Sequence, residues 1–187
     1  MNRLKNNLMK SIFIILLATV ILSAQERKPV DKSTRVSPPA LVEKTINNLF
    51  LSVDYSQPFV KNRKIWGELV PFDKIWRTGA NEATVITFGS DVEINGNILP
   101  KGRYSLFTIP SETQWTVVLN NVWEQWGSYK YDEKQDALRF TVKPATVTEH
   151  QEKLTFTIEA TDSSAALISM HWDKLKLSFS VTPKTRE

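Results

Sequence analysis

The chain of 187 residues contains no cysteine, which excludes disulfide bonds, thiolate metal sites, a cysteine nucleophile and the lipid-bearing cysteine of a bacterial lipoprotein. It has only two histidines, His150 and His171, and their separation fits no paired metal-ligand spacing. The sequence also lacks a Gly-x-Ser-x-Gly elbow, a phosphate-binding loop and a dinucleotide fingerprint. We therefore expect no metal and no cofactor, and the sequence favours a protein that is not an enzyme.

Long hydrophobic runs are scarce as well. The main one, Ile12–Leu22, is well short of the about 20 residues that cross a bilayer. Three basic residues precede this run and Ser23-Ala24 closes it, so residues 1–24 are predicted to be a signal peptide that is cleaved after Ala24. An uncleaved N-terminal anchor is the alternative. The prediction places the mature chain in the periplasm or outside the cell, with no membrane span after the signal is removed.

The mature chain also has little net charge. The predicted signal carries Arg3, Lys5 and Lys10 and no acidic residue, so its removal leaves 21 Lys and Arg against 20 Asp and Glu. A nucleic-acid-binding domain normally shows a clear excess of basic residues. We therefore expect no nucleic-acid partner.

What is present is a pattern of short strands. Leu154, Phe156 and Ile158 alternate with polar residues, and the stretch from Leu175 to Val181 repeats that pattern, which is typical of a sheet with one buried face. Turn residues such as Asn47-Asn48 and Asn95-Gly96 separate the strands. The fold class predicted is all-β: an antiparallel β-sandwich or jelly roll of nine or ten strands with little helix, and a closed barrel is the alternative.

The domain organisation follows from the same pattern. Residues 25–39 are polar and proline-containing and are predicted to form a flexible leader. Residues 40–183 contain no internal linker and are predicted to form a single domain, followed by a tail at 184–187. Any helix is expected to be a turn or two, near Asn62–Leu69 or Asp132–Ala137.

Several segments of the chain together form a recognisable pattern. They are Asp54–Pro58, Ile65–Gly67, Val70-Pro71, Trp76–Thr84, Gly102–Pro110, Trp115–Asn120, Trp126-Gly127 and Tyr131-Asp132. On these segments the chain resembles an exported bacterial family catalogued as domain of unknown function 2911, over roughly residues 37–181. The resemblance implies an exported, mostly-β domain and no particular activity. This chain has Gln57 where the family usually has Arg, and Asn62 where it usually has Gly, so an anion-binding role of that Arg would not carry over.

The best polar constellation is formed by Arg77, Asn81 and Glu82. If Gly79 lets the chain turn between them, the Arg77 guanidinium is able to face the Glu82 carboxylate as a bidentate pair. Such a pair would orient a polar ligand, with Asn81 as both donor and acceptor. The alternative is a structural ion pair that holds an irregular loop against the sheet.

Aromatic residues complete the candidate site. Trp76 adjoins Arg77, and Trp126, Tyr129 and Tyr131 lie in a loop-like stretch where flat rings are able to stack on a sugar or a peptide. The alternative is that these rings cover an open end of the sandwich. By contrast, Trp115 and Trp172 lie in alternating strands and are expected in the core.

The function expected from the sequence is therefore an exported, non-catalytic domain that binds a small polar ligand, glycan or peptide. Two alternatives remain open. One is a hydrolase that uses Glu82 with a second carboxylate across a groove. The other is an envelope protein with a structural or partner-binding role.

Overall fold

A computed structural model describes residues 31–161 and 165–184. The predicted signal peptide at 1–24 and the last residues of the predicted tail lie outside the described residues. Ten strands and one short 3-10 helix, at Glu133–Gln135, form the described fold. The strands are β1 Pro39–Ile46, β2 Leu49–Ser56, β3 Thr84–Phe88, β4 Val92–Ile94, β5 Asn97–Leu99, β6 Gly102–Ile109, β7 Trp115–Asn120, β8 Asp136–Val142, β9 Ala145–Ala160 and β10 Ala166–Pro183.

The strands form two sheets, and all pairs of neighbours are antiparallel. The larger sheet has the order β1-β2-β3-β6-β7-β8, and the smaller one has the order β5-β4-β10-β9. Side chains from both sheets share one core, in which Leu51 and Ile86 of the larger sheet lie with Ile168 and Val181 of the smaller one. The predicted all-β sandwich class and strand number are thus confirmed.

Two-residue alternation accounts for the buried face of each sheet. In β2, Leu49, Leu51 and Val53 are fully buried while Phe50 and Asp54 are exposed. Successive side chains of a strand point to opposite faces, so one face of β2 enters the core. Trp115 and Trp172 are buried as expected.

The C-terminal strand differs from the prediction. Two strands were expected, on either side of Asp173, but a single β10 runs through this residue. Asp173 has φ +55°, and the register with β9 shifts on both sides of it. A bulge bends a strand without ending it, which is why the break in alternation does not mark a turn.

Within residues 31–161 and 165–184, helix is limited to the 3-10 turn at Glu133–Gln135. Its first residues are capped by Asp132, whose carboxylate accepts a hydrogen bond from the Lys134 backbone amide at 3.0 Å. The other expected position, Asn62–Leu69, forms turns instead, and both Asn62 and Gly67 have positive φ. Among the described residues, no helix is long and apolar enough to cross a membrane.

The long irregular connection between β2 and β3, residues 57–83, wraps around one edge of the sandwich. Phe59 bridges Lys153 of β9, and Trp76 bridges Thr108 of β6. Irregular connections longer than about 15 residues are uncommon in compact domains and usually functional. This connection positions most of the candidate site residues.

Candidate functional site

The stretch Trp76–Gly79 of the β2–β3 connection is fixed by its contacts with β6. The Trp76 and Thr108 backbones exchange two hydrogen bonds, at 2.8 and 2.9 Å. Thr78 is buried with φ +52°, and its hydroxyl lies 3.1 Å from that of Thr108. Arg77 therefore projects from a rigid backbone.

Gly79 has a different role from the one expected. Its φ does not lie in the left-handed region, so the chain does not need glycine for a turn there. A Cβ at Gly79 would lie 2.9 Å from the Thr84 hydroxyl oxygen and 3.2 Å from the Ser56 carbonyl oxygen. Glycine is required because the connection approaches β2 and β3 closely at this point.

Four tryptophans pack together, two from the connection and two from strands. Trp66 lies edge-on to Trp115 at 4.8 Å, and Trp76 stacks on Trp172 with ring centroids 5.9 Å apart. The indole N–H of Trp76 donates to the Gly79 carbonyl at 3.2 Å. By contrast, the buried Nε1 atoms of Trp66 and Trp172 have no hydrogen-bond partner within the described part of the chain.

A cavity of about 410 Å³ opens beside Trp76 and Trp172, and we call it the Arg77 cavity. Its walls come from the N-terminal segment before β1, from the β2–β3 connection and from β10. The lining residues are Val36, Ser37, Pro58, Phe59, Lys61, Arg63, Leu69, Val70, Trp76, Arg77, Gly79, Ala80 and Trp172.

Arg77 is partly buried in this cavity without a counter-ion. Within residues 31–161 and 165–184, no carboxylate lies within salt-bridge distance of its guanidinium, and its buried Nε atom has no hydrogen-bond partner. Burial lowers the pKa of Arg77 from its ordinary value, and the nearby Tyr129 opposes this shift. Because an arginine stays protonated in proteins, the cavity contains an uncompensated positive charge.

The expected Arg77–Glu82 pair is therefore wrong. Glu82 pairs with Arg35 at 2.6 Å and with Lys32 at 3.0 Å, both from the stretch predicted to be a flexible leader. Burial raises the pKa of Glu82, but hydrogen bonds from Arg35, from its own backbone amide and from Lys32 outweigh burial and bring that pKa to about 2. The structural alternative, in which the Arg77–Glu82 pair holds the loop against the sheet, is not found either, since the ion pairs of Glu82 join the loop to the segment before β1.

Asn81 also contacts the N-terminal segment. Its side-chain amide donates to the Ser37 carbonyl at 3.0 Å, and its own carbonyl accepts from the Gly127 amide at 3.1 Å. Asn81 adopts φ +58°, which asparagine tolerates better than most residues. Its side chain is thus used to hold residues 31–38 against the loop.

The two candidate segments do meet, through their backbones. Glu82 bridges Trp126, and the Ala83 amide donates to the Gln125 carbonyl at 3.0 Å. The side chains of Glu82 and Trp126 line a second cleft of about 380 Å³, which we call the Trp126 cleft. Trp76 and Arg77 line the Arg77 cavity instead, so the candidate residues divide between two sites.

The Trp126 cleft carries charges of both signs. Lys32 and Arg103 line it together with Asp54, Glu82 and Glu124. Its aromatic faces are already partly covered, because the Arg103 guanidinium lies 3.7 Å above the Trp123 ring and that of Arg35 lies 5.7 Å from the Trp126 ring. Trp126 itself remains 55% exposed.

Of the two candidate tyrosines, Tyr131 lines neither site, whereas Tyr129 lies close to Arg77. Tyr131 packs edge-on to Phe107 at 5.2 Å and donates its hydroxyl proton to Asp136 at 2.7 Å. Burial and the bond to Asp136 raise its pKa to about 12, even though Arg139 donates to the same oxygen. Tyr129 is 83% exposed, beside Gly127 and near Arg77.

Sequence reasoning missed Lys61, Arg63 and Trp172 as members of the site. Lys61 and Arg63 lie in a run of basic residues, which resembles an ordinary solvated surface. Trp172 was assigned to the core from its strand position, and it does lie in the core while also lining the cavity. The signal available in the sequence was Asn62 between these cations, because asparagine favours turns, and the structure does form a turn there, with φ +48° at Lys61 and +56° at Asn62.

The family departure at Gln57 has a structural role in this chain. Its side-chain amide donates to the Leu154 carbonyl at 3.1 Å and so ties the start of the connection to β9.

Of the residues described, no group of three or more His, Asp and Glu side chains is arranged to hold a metal ion. His150 lies 3.2 Å from Glu152 and 3.1 Å from Asp173, and its hydrogen bonds to them raise its pKa.

A family model described as "Protein of unknown function (DUF2911)" matches residues 37–181. The matched stretch contains the whole β2–β3 connection and both strands that flank it. No curated protein and no solved structure matches the chain.

Proposed function

Since this chain belongs to the DUF2911 family of proteins of unknown function, no activity can be transferred to it, and we propose from its geometry that it is an exported, non-catalytic domain that binds a small polar ligand in the Arg77 cavity. Export rests on the charged, apolar and small-residue order of residues 1–24. The binding site rests on the single observation that Arg77 is partly buried and has no counter-ion in the part of the chain that the structure describes.

An unpaired, partly buried cation is costly in a folded protein, because it loses hydration without gaining a partner. Burying arginine is usually accompanied by a carboxylate or a set of backbone acceptors. Here the described residues supply neither to the buried Nε atom, although hydrogen bonds to Thr108 fix the backbone of the preceding Trp76. A bound ligand would supply the missing acceptors.

The size and composition of the cavity support this proposal. Its volume of about 410 Å³ falls in the range typical of small-molecule sites. Such sites combine apolar and aromatic walls with a few polar groups, and the Arg77 cavity has both. The ligand suggested by the sequence, a small polar molecule, a glycan or a peptide end, remains compatible with these walls.

The hydrolase alternative has less support. A general acid must carry a proton near neutral pH, whereas the pKa of Glu82 is about 2. Both carboxylate oxygens of Glu82 are also engaged by Lys32 and Arg35. These contacts favour a structural role for Glu82.

A thermal-shift screen tests the proposal. The protein is expressed with its own N-terminus and recovered from the periplasm or medium, and its mass should correspond to cleavage after Ala24. Glycans, short peptides and metabolites are then tested for a rise in melting temperature, because a ligand that binds the native state stabilises it.

The expected result is a shift that Arg77→Ala abolishes and Arg103→Ala retains. Arg103 is a matched control, because its exposed guanidinium lies over Trp123 and outside the Arg77 cavity. A ligand whose shift survives Arg77→Ala but is lost in Trp126→Ala would move the site to the Trp126 cleft and contradict the proposal.

A further inference from the structure

We infer that the ligand of the Arg77 cavity is a small organic oxyanion, a carboxylate or a phosphate monoester, that carries an apolar body. The inference rests on the proposed function, because it names the chemical class of ligand for the same cavity. Three independent features of the lining carry it: the sign of the charges, the unpartnered N–H donors and the apolar walls.

All charged residues that line the cavity are basic. They are Lys61, Arg63 and Arg77, and neither Asp nor Glu is among the lining residues. The Arg63 guanidinium donates to the backbone carbonyls of Val60 and Phe59. Those carbonyls are neutral, so these hydrogen bonds orient the side chain without cancelling its charge.

The Glu152 carboxylate lies beside this rim. One of its oxygens accepts from the Lys61 backbone amide at 2.9 Å, the other lies 3.2 Å from His150 Nε2, and its charge interacts with that of Arg63. The Lys61 ammonium lies 5.6 Å from the Phe59 ring centroid, an aromatic contact that does not cancel its charge. Glu152 therefore offsets part of the charge at Arg63, whereas among the described residues Lys61 and Arg77 form no salt bridge with a carboxylate.

Two of the residues that line the cavity carry a buried N–H donor for which the described residues supply no acceptor. Trp172 is 1% exposed, and its Nε1 atom has no partner within the part of the chain that the structure describes. The same is true of Arg77 Nε. Both groups are donors only, and a buried donor without an acceptor is costly. A carboxylate or phosphate brings several acceptor oxygens together with the negative charge.

The remaining walls suit an apolar portion of the ligand. The half-buried rings of Phe59 and Trp76 provide flat apolar surface, and the buried Val70 and Trp172 lie behind them. Leu69, which is 44% exposed, lies among them. Inorganic phosphate would leave this surface in contact with water. A ligand with an apolar group would cover it, and burial of apolar surface favours binding.

The Trp126 cleft shows by contrast why the sign of the charge matters. There Lys32 is paired with Glu82 at 3.0 Å, and further acidic residues line the same walls. A cation that already has a protein partner gains little from an anionic ligand. Arg77 has no such partner among the described residues, so its full charge is available to an anion.

The test compares matched probes by calorimetric titration of the processed full-length protein. Phenylacetate, hexanoate and phenyl phosphate are the anionic probes, and phenylacetamide is the neutral counterpart of phenylacetate. Acetate and inorganic phosphate lack the apolar body. At least one anionic probe should bind about tenfold or more tightly than phenylacetamide, because hydrogen bonds to charged groups are stronger. Comparing phenylacetate with phenyl phosphate identifies the head group.

Two variants assign the binding to named groups. Arg77→Met keeps the apolar stem and removes the charge, so it should weaken the best anion about tenfold or more without lowering the melting temperature of the unliganded protein. Trp172→Phe keeps a ring in the core and removes the N–H donor, and it should weaken binding to a smaller extent. Lys64→Ala is the matched control, since Lys64 lies on the same basic loop, pairs with Glu68 at 3.0 Å and does not line the cavity.

The outcomes separate this inference from the proposed function. Failure of all three anions to bind at millimolar concentration overturns the inference, as does equal binding to wild type and Arg77→Met. If a neutral ligand found by the screen still requires Arg77, the proposed function stands and the inference is wrong. If no ligand of either kind depends on Arg77, both are wrong.

Discussion

Arg77 and Glu82 lie five residues apart and carry opposite charges, yet the fold gives them different partners. Glu82 is held by Arg35 and Lys32 from the N-terminal segment, while Arg77 has no carboxylate partner among the described residues. Trp76 is hydrogen-bonded to the Thr108 backbone, and the Thr78 hydroxyl to the Thr108 hydroxyl, so residues 76–78 are held beside β6. The two side chains therefore line different cavities, and their charges serve different purposes.

The pairing of Glu82 predicts a pH-dependent contribution to stability. A carboxylate whose pKa is about 2 in the folded protein, against an ordinary value of 4.5, stabilises the fold above about pH 4.5, and this stabilisation is lost as pH falls toward 2. The Glu82 side chain is 36% exposed, so solvent screening limits the effect. We expect Glu82→Gln to lower the free energy of unfolding at pH 7 by about 1 kcal/mol.

Urea denaturation at a series of pH values measures this effect. The difference between wild type and Glu82→Gln should shrink as the pH falls from about 4.5. Glu68→Gln is the control, because Glu68 forms an exposed pair with Lys64 on the surface and should contribute little. A constant difference down to pH 2 would contradict an origin in the Glu82 carboxylate.

At the scale of elements, the β2–β3 connection is ordered by close approach and hydrogen bonds, although it has little regular structure. It is tied to β9 by the Phe59–Lys153 bridge and the Gln57 side chain, and to β6 by Trp76. Gly79 lies where the connection comes nearest to Ser56 and Thr84. The geometry of the Arg77 cavity depends on this contact.

Gly79→Ala should therefore destabilise the domain by about 1–3 kcal/mol, the usual cost of forcing an extra methyl into a packed site. The new Cβ would lie 2.9 Å from Thr84 Oγ1, which cannot move freely because it donates to the Thr78 carbonyl at 2.9 Å. Thermal and urea unfolding followed by circular dichroism measure the change.

Gly102→Ala is the matched control for that substitution. A Cβ at Gly102 would have Tyr104 Oη, 3.4 Å away, as its nearest neighbour, so its effect should stay within about 0.5 kcal/mol. Equal effects of the two substitutions would show that close approach at Gly79 is not what makes glycine necessary there.

At the scale of the molecule, the two sheets share a single core, and no disulfide supports it. Residues from β2, β3, β9 and β10 belong to one cluster of buried side chains, which includes the tryptophans beneath the Arg77 cavity. A single core of this kind normally unfolds in one cooperative step. The cavity should therefore be lost together with the sheets.

Leu51→Ala tests this cooperativity. Leu51 is fully buried between the sheets, so its truncation should cost about 2–5 kcal/mol. Tryptophan fluorescence and far-UV circular dichroism should report the same urea midpoint, for the variant as for wild type. Ile98→Ala, at a position 62% exposed, should change stability by less than about 0.5 kcal/mol. Separate transitions for the two signals would mean that the tryptophan cluster unfolds independently.

The sequence by itself determined the fold class, because strand periodicity is a local property. Alternation from Leu154 to Ile158 and turn pairs such as Asn95-Gly96 depend only on neighbouring residues, and these elements lie where they were predicted. The bulge at Asp173 escaped prediction, since an extra residue that bends a strand has the same local pattern as a turn.

Tertiary structure alone decided the surroundings of Arg77 and Glu82. Arg35 reaches Glu82 across 47 positions of sequence, and the cations Lys61 and Arg63 meet Arg77 at one cavity with Trp172 of β10. Proximity along the chain favoured a pair between Arg77 and Glu82, but the fold brings Lys32 and Arg35 to Glu82 instead. Electrostatic pairing depends on distances between atoms in space, and those distances are set by packing of the two sheets rather than by spacing in the sequence.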